Sequence, residues 1–267
     1  MEYKEIKGVK IPLIGLGTSG FGGGWMFKDS SHDSQATEAI QYAIELGMTH
    51  IDTAEAYANG HAEELVGLAI KDFPRKNLFI TTKVYPGHLS RDKTLKACQA
   101  SLKRLATDYI DLYLIHWPDP HVPLSETMPA MDQLVKQGLT RFIGVSNFDV
   151  GLLREAQSLS ENGIFTNQVE YSLVERGPEK GLLPYCQKQN ILLTAYSPLK
   201  KVPLDHLEQM AQKYGKTPAQ IALNYLISQD NVIAIPKASS KEHIKENAEA
   251  ADFKLDPEDL ELLKQKS

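Results

Sequence analysis

The chain has 267 residues, 42% hydrophobic and 24% charged, with a formal net charge of −5 and a sequence pI near 5.9. That length suits one large core, since α/β barrels commonly run to about 250 residues, and the balance excludes a disordered or fibrous chain. No basic block able to neutralise a phosphate backbone occurs and no stretch reaches the ~18 apolar residues of a bilayer crossing, so nucleic acid and membranes are set aside as partners.

The N-terminal MEYKEIKGVK is charged where a signal peptide is apolar, and the expected location is the cytoplasm. Residues 3–14, YKEIKGVKIPLI, read as a β-hairpin turning at Gly8. Eight short runs rich in Val, Ile, Thr and Tyr then recur: LIGLGT, HIDTA, LFITTKV, IDLYLIHW, RFIGVSNF, FTNQVEYS, ILLTAYSP and VIAIPKAS. They start roughly 25 to 40 residues apart, which leaves room for one helix and two loops between neighbours. Most are continuous rather than alternating, as strands of a parallel sheet buried on both faces are.

The intervening segments carry helix punctuation. SRDKTLKACQASLKRLA starts at a Ser90 cap, SETMPAMDQLVKQG stops at Gly138, and TPAQIALNYLI puts Thr217 at the cap with Pro218 in the first helical position. Cys98 shares an apolar helical stripe with Leu95, Leu102 and Leu105. Neither it nor Cys186 has a C-x-x-C partner, so both read as core residues. The expected fold is an α/β (β/α)8 TIM barrel forming one domain over 1–267. The hairpin should plug its N-terminal end, and DPEDLELLKQK should add a capped C-terminal helix. The glycines of GTSGFGGG lack the phasing of a dinucleotide fingerprint and read as a flexible first βα loop.

Active sites of such barrels lie at the C-terminal ends of the strands. Asp52 ends the second run, Lys83 the third and His116 the fourth, while Tyr57 follows in the loop after Asp52. Singly, Asp52 could cap a helix over 62–73, Lys83 could be a solvated rim charge, His116 a core histidine and Tyr57 a packing aromatic. Together they suit carbonyl reduction. A tyrosine with an ordinary pKa of about 10 donates reluctantly at neutral pH, and a neighbouring Lys83 ammonium would lower that value by stabilising the phenolate. Asp52 would hold Lys83 charged, and His116 would hydrogen-bond the substrate oxygen. Glu55 finds no role and is expected to face solvent.

In this order, IGLGT, IDTAEAY, TTKV, LYLIHWP, GVSNF, NQVEYS, AYSPL and FKLDPEDLELL resemble the aldo-keto reductase superfamily along nearly the whole chain. The resemblance implies the same four catalytic residues, and a cofactor, NADP(H), bound without a Rossmann motif. It also implies that Ser146, Asn147 and Gln168 hold the nicotinamide carboxamide and that Tyr196 stacks on the ring. Ser197 and Leu199 would hold the pyrophosphate, and Glu246 and Asn247 the adenine. Capping of the helix after SNF by Ser146 or Asn147, and a core role for Tyr196, remain alternatives. Family members selective for NADP pair a lysine with a small polar residue and an arginine; this chain keeps Lys237 but has Ala238 and His243. Histidine lacks arginine's bidentate fork, so selectivity should be weaker, with Ser239 and Ser240 as further donors: NADP(H) is favoured and NAD(H) possible.

Trp25, Tyr85 and Trp117 are expected to wall the substrate pocket. Trp25 stands in for a tryptophan that some family members carry where this chain has Ser19. The chain ends without the long tail of several family branches, which predicts an open pocket and broad turnover of small aldehydes, α-dicarbonyls and sugar-type carbonyls. A monomer binding a small carbonyl compound, with no metal site, is the expectation. Two rival functions share the residues: a nicotinamide-binding regulatory subunit with little turnover, and an aldolase using Lys83 as a Schiff base.

Overall fold

The computed structural model describes residues 1–265; position 266 of the expected final helix and the end of the expected 1–267 domain lie outside the described residues. Eight parallel strands pair in chain order: β1 (Leu16–Gly17), β2 (His50–Asp52), β3 (Phe79–Val84), β4 (Ile110–Ile115), β5 (Thr140–Ser146), β6 (Thr166–Glu170), β7 (Leu192–Tyr196) and β8 (Val232–Ala234). The sheet closes on itself where Gly15 N–H donates to Ala234 O at 2.9 Å and Ala234 N–H donates to Leu13 O at 3.0 Å. Closure removes both sheet edges and makes a (β/α)8 barrel. Each of the eight runs contributes one strand, although LIGLGT forms a regular ladder over two residues only.

Helices α1 (Asp33–Glu45), α2 (His61–Ile70), α3 (Arg91–Arg104), α4 (Leu124–Lys136), α5 (Val150–Leu159) and α6 (Leu182–Gln189) follow the first six strands. The pair α7 (Glu208–Tyr214) and α8 (Pro218–Ile227) follows β7; α9 (Lys241–Glu249) and α10 (Pro257–Gln265) follow β8. Their caps are chemical. Thr217 accepts from Gln220 N–H at 3.2 Å and the Gln220 side chain accepts from Thr217 N–H at 3.0 Å, a reciprocal box that starts α8 with Pro218 at its first position. Helix α5 is capped by Asp149, which accepts from Leu152 N–H at 2.8 Å, so neither Ser146 nor Asn147 is needed as a cap. Ser90 precedes α3 as expected, but its side chain makes no capping bond.

Side chains alternate across each strand, so every second residue enters the barrel and three layers stack along its axis. At the N-terminal end, Ile6 and Ile11 of the hairpin (Tyr3–Ile6 with Val9–Pro12) join Phe79, Leu112, Leu114, Phe165, Leu192 and Ile233 in an apolar cluster. Burying each such side chain contributes about 1.5–3 kcal/mol. In the middle layer His50 Nε2 meets Thr81 Oγ1 and Thr166 Oγ1 meets Thr194 Oγ1, both at 2.9 Å. Complete burial pushes the His50 imidazole down to about 4, which keeps it neutral. Two residues further on, the same faces carry Asp52, Lys83, His116, Ser146, Gln168 and Tyr196. The second apolar cluster, between sheet and helices, takes in both free cysteines, Cys98 and Cys186.

The glycine-rich segment after β1 differs from the flexible loop expected of it. Gly23–Gly24 pairs antiparallel with Phe27–Lys28 as a short ribbon, and Gly23 sits at φ +132 where a Cβ would lie 2.0 Å from Phe27 O. Only glycine permits that approach. The ribbon carries Trp25 at its tip.

Candidate active site

Asp52, Lys83 and Tyr57 form one chain of hydrogen bonds at the C-terminal end of the barrel. Lys83 Nζ donates to Asp52 Oδ1 at 2.6 Å, to Thr53 O at 2.8 Å and to Tyr57 OH at 3.3 Å. All three ammonium protons are thereby used, and Lys83 is completely buried. Gln168 Nε2 donates to the other oxygen, Asp52 Oδ2, at 2.7 Å, so the carboxylate is held from both sides. Burial works hardest against the Lys83 charge, yet Asp52 and Tyr57 together hold the ammonium above its ordinary range.

Tyr57 shows the opposite balance. Burial raises its phenol and outweighs the neighbouring Lys83 charge, the largest influence in the other direction, so the hydroxyl lies above its ordinary range. The expectation that Lys83 leaves Tyr57 acidic therefore describes the Lys83 contribution and not the net result. In this cavity the phenol is firmly protonated. His116 faces Tyr57 with ring centroids 5.6 Å apart. Burial first and the Lys83 charge second push its imidazole down to about 2, so it is neutral, and its Nδ1 is buried without a partner.

These groups border a cavity of about 310 Å³ lined by Asp52, Tyr57, His116, Trp25, Trp117, Ser146, Asn147, Gln168, Tyr196, Ser197 and Lys237, together with Gly17, Ser19 and Ile235. Trp117 stacks on His116 at 4.2 Å between centroids. Trp25 reaches over from the ribbon to within 5.2 Å of His116, 5.5 Å of Trp117 and 6.2 Å of Tyr57. Tyr85 stands behind Trp25 at 6.4 Å rather than on the cavity wall itself.

The polar wall opposite fits a carboxamide. Asn147 Nδ2 donates to His116 O and to Ser146 Oγ, both at 3.0 Å, and Asn147 Oδ1 accepts from Tyr196 OH at 2.9 Å. Ser146 keeps its own hydroxyl proton, and Gln168, whose amide nitrogen must face the acceptor-only Asp52, keeps its carbonyl oxygen. The wall thus offers one donor, on Ser146, and acceptors on Asn147 and Gln168, the complement of a carboxamide's one oxygen and two N–H groups. The bond to Asn147 also fixes the half-buried Tyr196 ring at the side of this wall. Lys237 is an exposed cation at the mouth, 5.6 Å from the Phe21 ring.

The remaining expected cofactor residues do not line the cavity. Leu199 is half-buried against the core, and Ser239 precedes α9. Ser240 Oγ caps α9 by accepting from His243 N–H at 3.2 Å. His243 is exposed, Glu246 half-buried and Asn247 only 3% exposed within α9. Holding Asp52 is a role for Gln168 beyond the carboxamide contact expected of it. The signal was present, since Gln168 shares strand-face phase with the inward Thr166. Glu55 departs from the solvent-facing position expected of it: its side chain is 9% exposed, accepts from Tyr85 N–H at 2.5 Å and meets His88 Nδ1 at 3.0 Å. Those partners come from a different loop, so Glu55 turns inward instead of facing solvent.

Residues 13–267 match the family model for the aldo/keto reductase family. The chain is 39% identical to methylglyoxal reductase YeaE of Escherichia coli (strain K12) over 264 residues, 96% of this chain and 90% of that protein. Among solved structures, a thermostable aldo-keto reductase, Tm1743, in complex with the inhibitor epalrestat superposes over 100% of both chains with a TM-score of 0.97 at 50% identity. An aldo/keto reductase from Klebsiella pneumoniae in complex with NADP and acetate gives a TM-score of 0.90 at 40% identity, over 97% of this chain and 93% of that one.

Proposed function

The chain belongs to the aldo/keto reductase family, and on that premise we propose how it works as an NADP(H)-dependent carbonyl reductase with Tyr57 as proton donor. The observation that carries the reading is the relay from buried Asp52 and Lys83 to Tyr57, opening on a cavity faced by a neutral His116. Ser146, Asn147, Gln168 and Tyr196 would hold the nicotinamide end of the cofactor, and Lys237 would favour its phosphate-bearing end. Held there, the dinucleotide would supply the hydride that the carbonyl carbon needs.

The chain's own residues handle the oxygen. Neutral His116 donates a hydrogen bond to the carbonyl oxygen and directs it toward Tyr57. As negative charge develops on that oxygen, the Tyr57 hydroxyl gives up its proton. Lys83, 3.3 Å away, stabilises the phenolate left behind. Asp52 keeps Lys83 charged and aimed, and Gln168 keeps Asp52 aimed in turn. A tyrosine whose burial keeps it protonated at rest suits this task, because the Lys83 charge acts in full only when the phenolate forms.

Trp25 and Trp117 leave a small apolar mouth beside these polar groups, which suits small aldehydes and α-dicarbonyls. Methylglyoxal, the compound named for the Escherichia coli relative, is the substrate we assign first. Initial rates with NADPH and with NADH against a panel of small aldehydes and α-dicarbonyls test the reading. Turnover of methylglyoxal with NADPH supports it, and a panel without turnover refutes it.

A further inference from the structure

Glu55 lies two residues before Tyr57 and points away from the cavity. Its main chain continues the pairing of β2 with β3 beyond the regular strand: Thr53 N–H donates to Thr81 O at 2.9 Å and Glu55 N–H to Lys83 O at 3.3 Å. There the chain turns off, and the next N–H on the β3 side, that of Tyr85, is taken at 2.5 Å by the Glu55 carboxylate. On the opposite side of the segment the Ala56 carbonyl accepts from Met26 N–H of the Trp25 ribbon at 3.0 Å. One side chain therefore ends the ladder that aligns Lys83 with the Tyr57 segment, its carboxylate taking the Tyr85 N–H in place of a main-chain carbonyl.

The turn that follows needs holding. Ala58, Asn59 and Gly60 have φ of +52, +56 and +88, three successive left-handed residues of which two carry a Cβ. The strained turn is flanked by two carboxylates that converge on one guanidinium. Arg104 Nε donates to the fully buried Glu63 at 2.6 Å, and Arg104 Nη2 lies 3.9 Å from Glu55 Oε2. The Arg104 stem fills the space beside Gly60, where a Cβ would meet its Cδ and Nε at 2.7 Å.

We propose that Glu55 is a positioning residue for the reduction, anchoring the Tyr57 turn to the Tyr85 loop and to Arg104 so that the phenol stays within reach of Lys83. This rests on the functional reading above. It adds a residue that touches neither substrate nor cofactor and acts through Tyr57 and Tyr85.

Three forms of the full-length protein test it: wild type, Glu55→Ala and Glu55→Gln. Loss of the anchor should lower kcat for methylglyoxal by about ten- to hundredfold in Glu55→Ala, the scale of a small misplacement of a reacting group, while KM for NADPH stays within about twofold. Glu55→Gln should recover most of kcat, because its amide oxygen still accepts from Tyr85 N–H. The proposal is overturned by a Glu55→Ala enzyme of unchanged kcat whose Tm falls, which makes the residue structural only, or by equal loss in both variants. Absence of turnover in the wild type would sink the functional reading instead. Glu55 would then be judged by tryptophan emission, since Trp25 lies 6.2 Å from Tyr57 and both tryptophans line the cavity. A shift in Glu55→Ala that Glu55→Gln reverses supports the anchor, and an unshifted spectrum overturns it.

Discussion

Tyr57→Phe removes one oxygen from the relay and little else. Lys83 retains its bonds to Asp52 at 2.6 Å and Thr53 O at 2.8 Å, so its buried charge stays compensated. The loss to stability is that of one hydrogen bond, about 1 kcal/mol, which lowers Tm by about 2–4 °C in a domain of this size. Activity should respond far more. A positioned general acid contributes about 10²–10⁴-fold, equivalent to about 2.7–5.4 kcal/mol of barrier. Neither ionisable neighbour of Tyr57 in the relay takes over its role. Lys83 is fully enclosed with its protons committed, and His116, with its imidazole pushed down to about 2, has no imidazolium proton to give at neutral pH. Steady-state oxidation of NADPH with methylglyoxal, alongside NADPH binding read from quenching of the cavity tryptophans, should show kcat reduced by at least about a hundredfold with binding retained. A variant that keeps kcat within tenfold of wild type would falsify the proton-donor assignment.

Lys83→Met should damage both properties, because it also strands the buried Asp52 carboxylate. We expect about 3–5 kcal/mol lost in urea denaturation together with loss of reduction, a pairing that separates it from Tyr57→Phe. Acid should destabilise the fold through His50 and His116, whose native values of about 4 and about 2 lie below the unfolded 6.5. As pH falls below 6.5 the unfolded chain takes up protons that the native protein refuses, so this contribution is complete above 6.5 and is lost progressively below it. Urea midpoints should fall from pH 7 to pH 5, and less steeply in His50→Gln; an unchanged slope in that variant speaks against the argument. His243→Arg should raise the preference for NADPH over NADH by about tenfold, the scale of one added charge-assisted bond to phosphate, as measured by the ratio of kcat/KM values.

Much of the molecule is legible in local pattern. The eight apolar runs become eight strands, and Thr217 with Pro218 starts a helix, because strand burial and capping depend on residues within a few positions. Asp52, Lys83 and His116 were readable for a related reason. Inward phase repeats every second residue, so His50, Thr81 and Leu114 enter the barrel and the reactive residues two positions later enter above them. The inward turn of Glu55 is not legible locally, because its partners, Tyr85, His88 and Arg104, lie 30, 33 and 49 positions away, and no periodicity in IDTAEAY reports them.

The sequence by itself determined the number of βα units, the resemblance to a family and the residues that finish each strand, all of which follow from order and spacing along the chain. Tertiary structure decided closure of the barrel between Gly15 and Ala234, the folding of Trp25 over Tyr57, and the sign of the balance at that tyrosine. Burial and charge act through space, and the same tyrosine beside the same lysine would be shifted one way in a wet cleft and the other in a dry one.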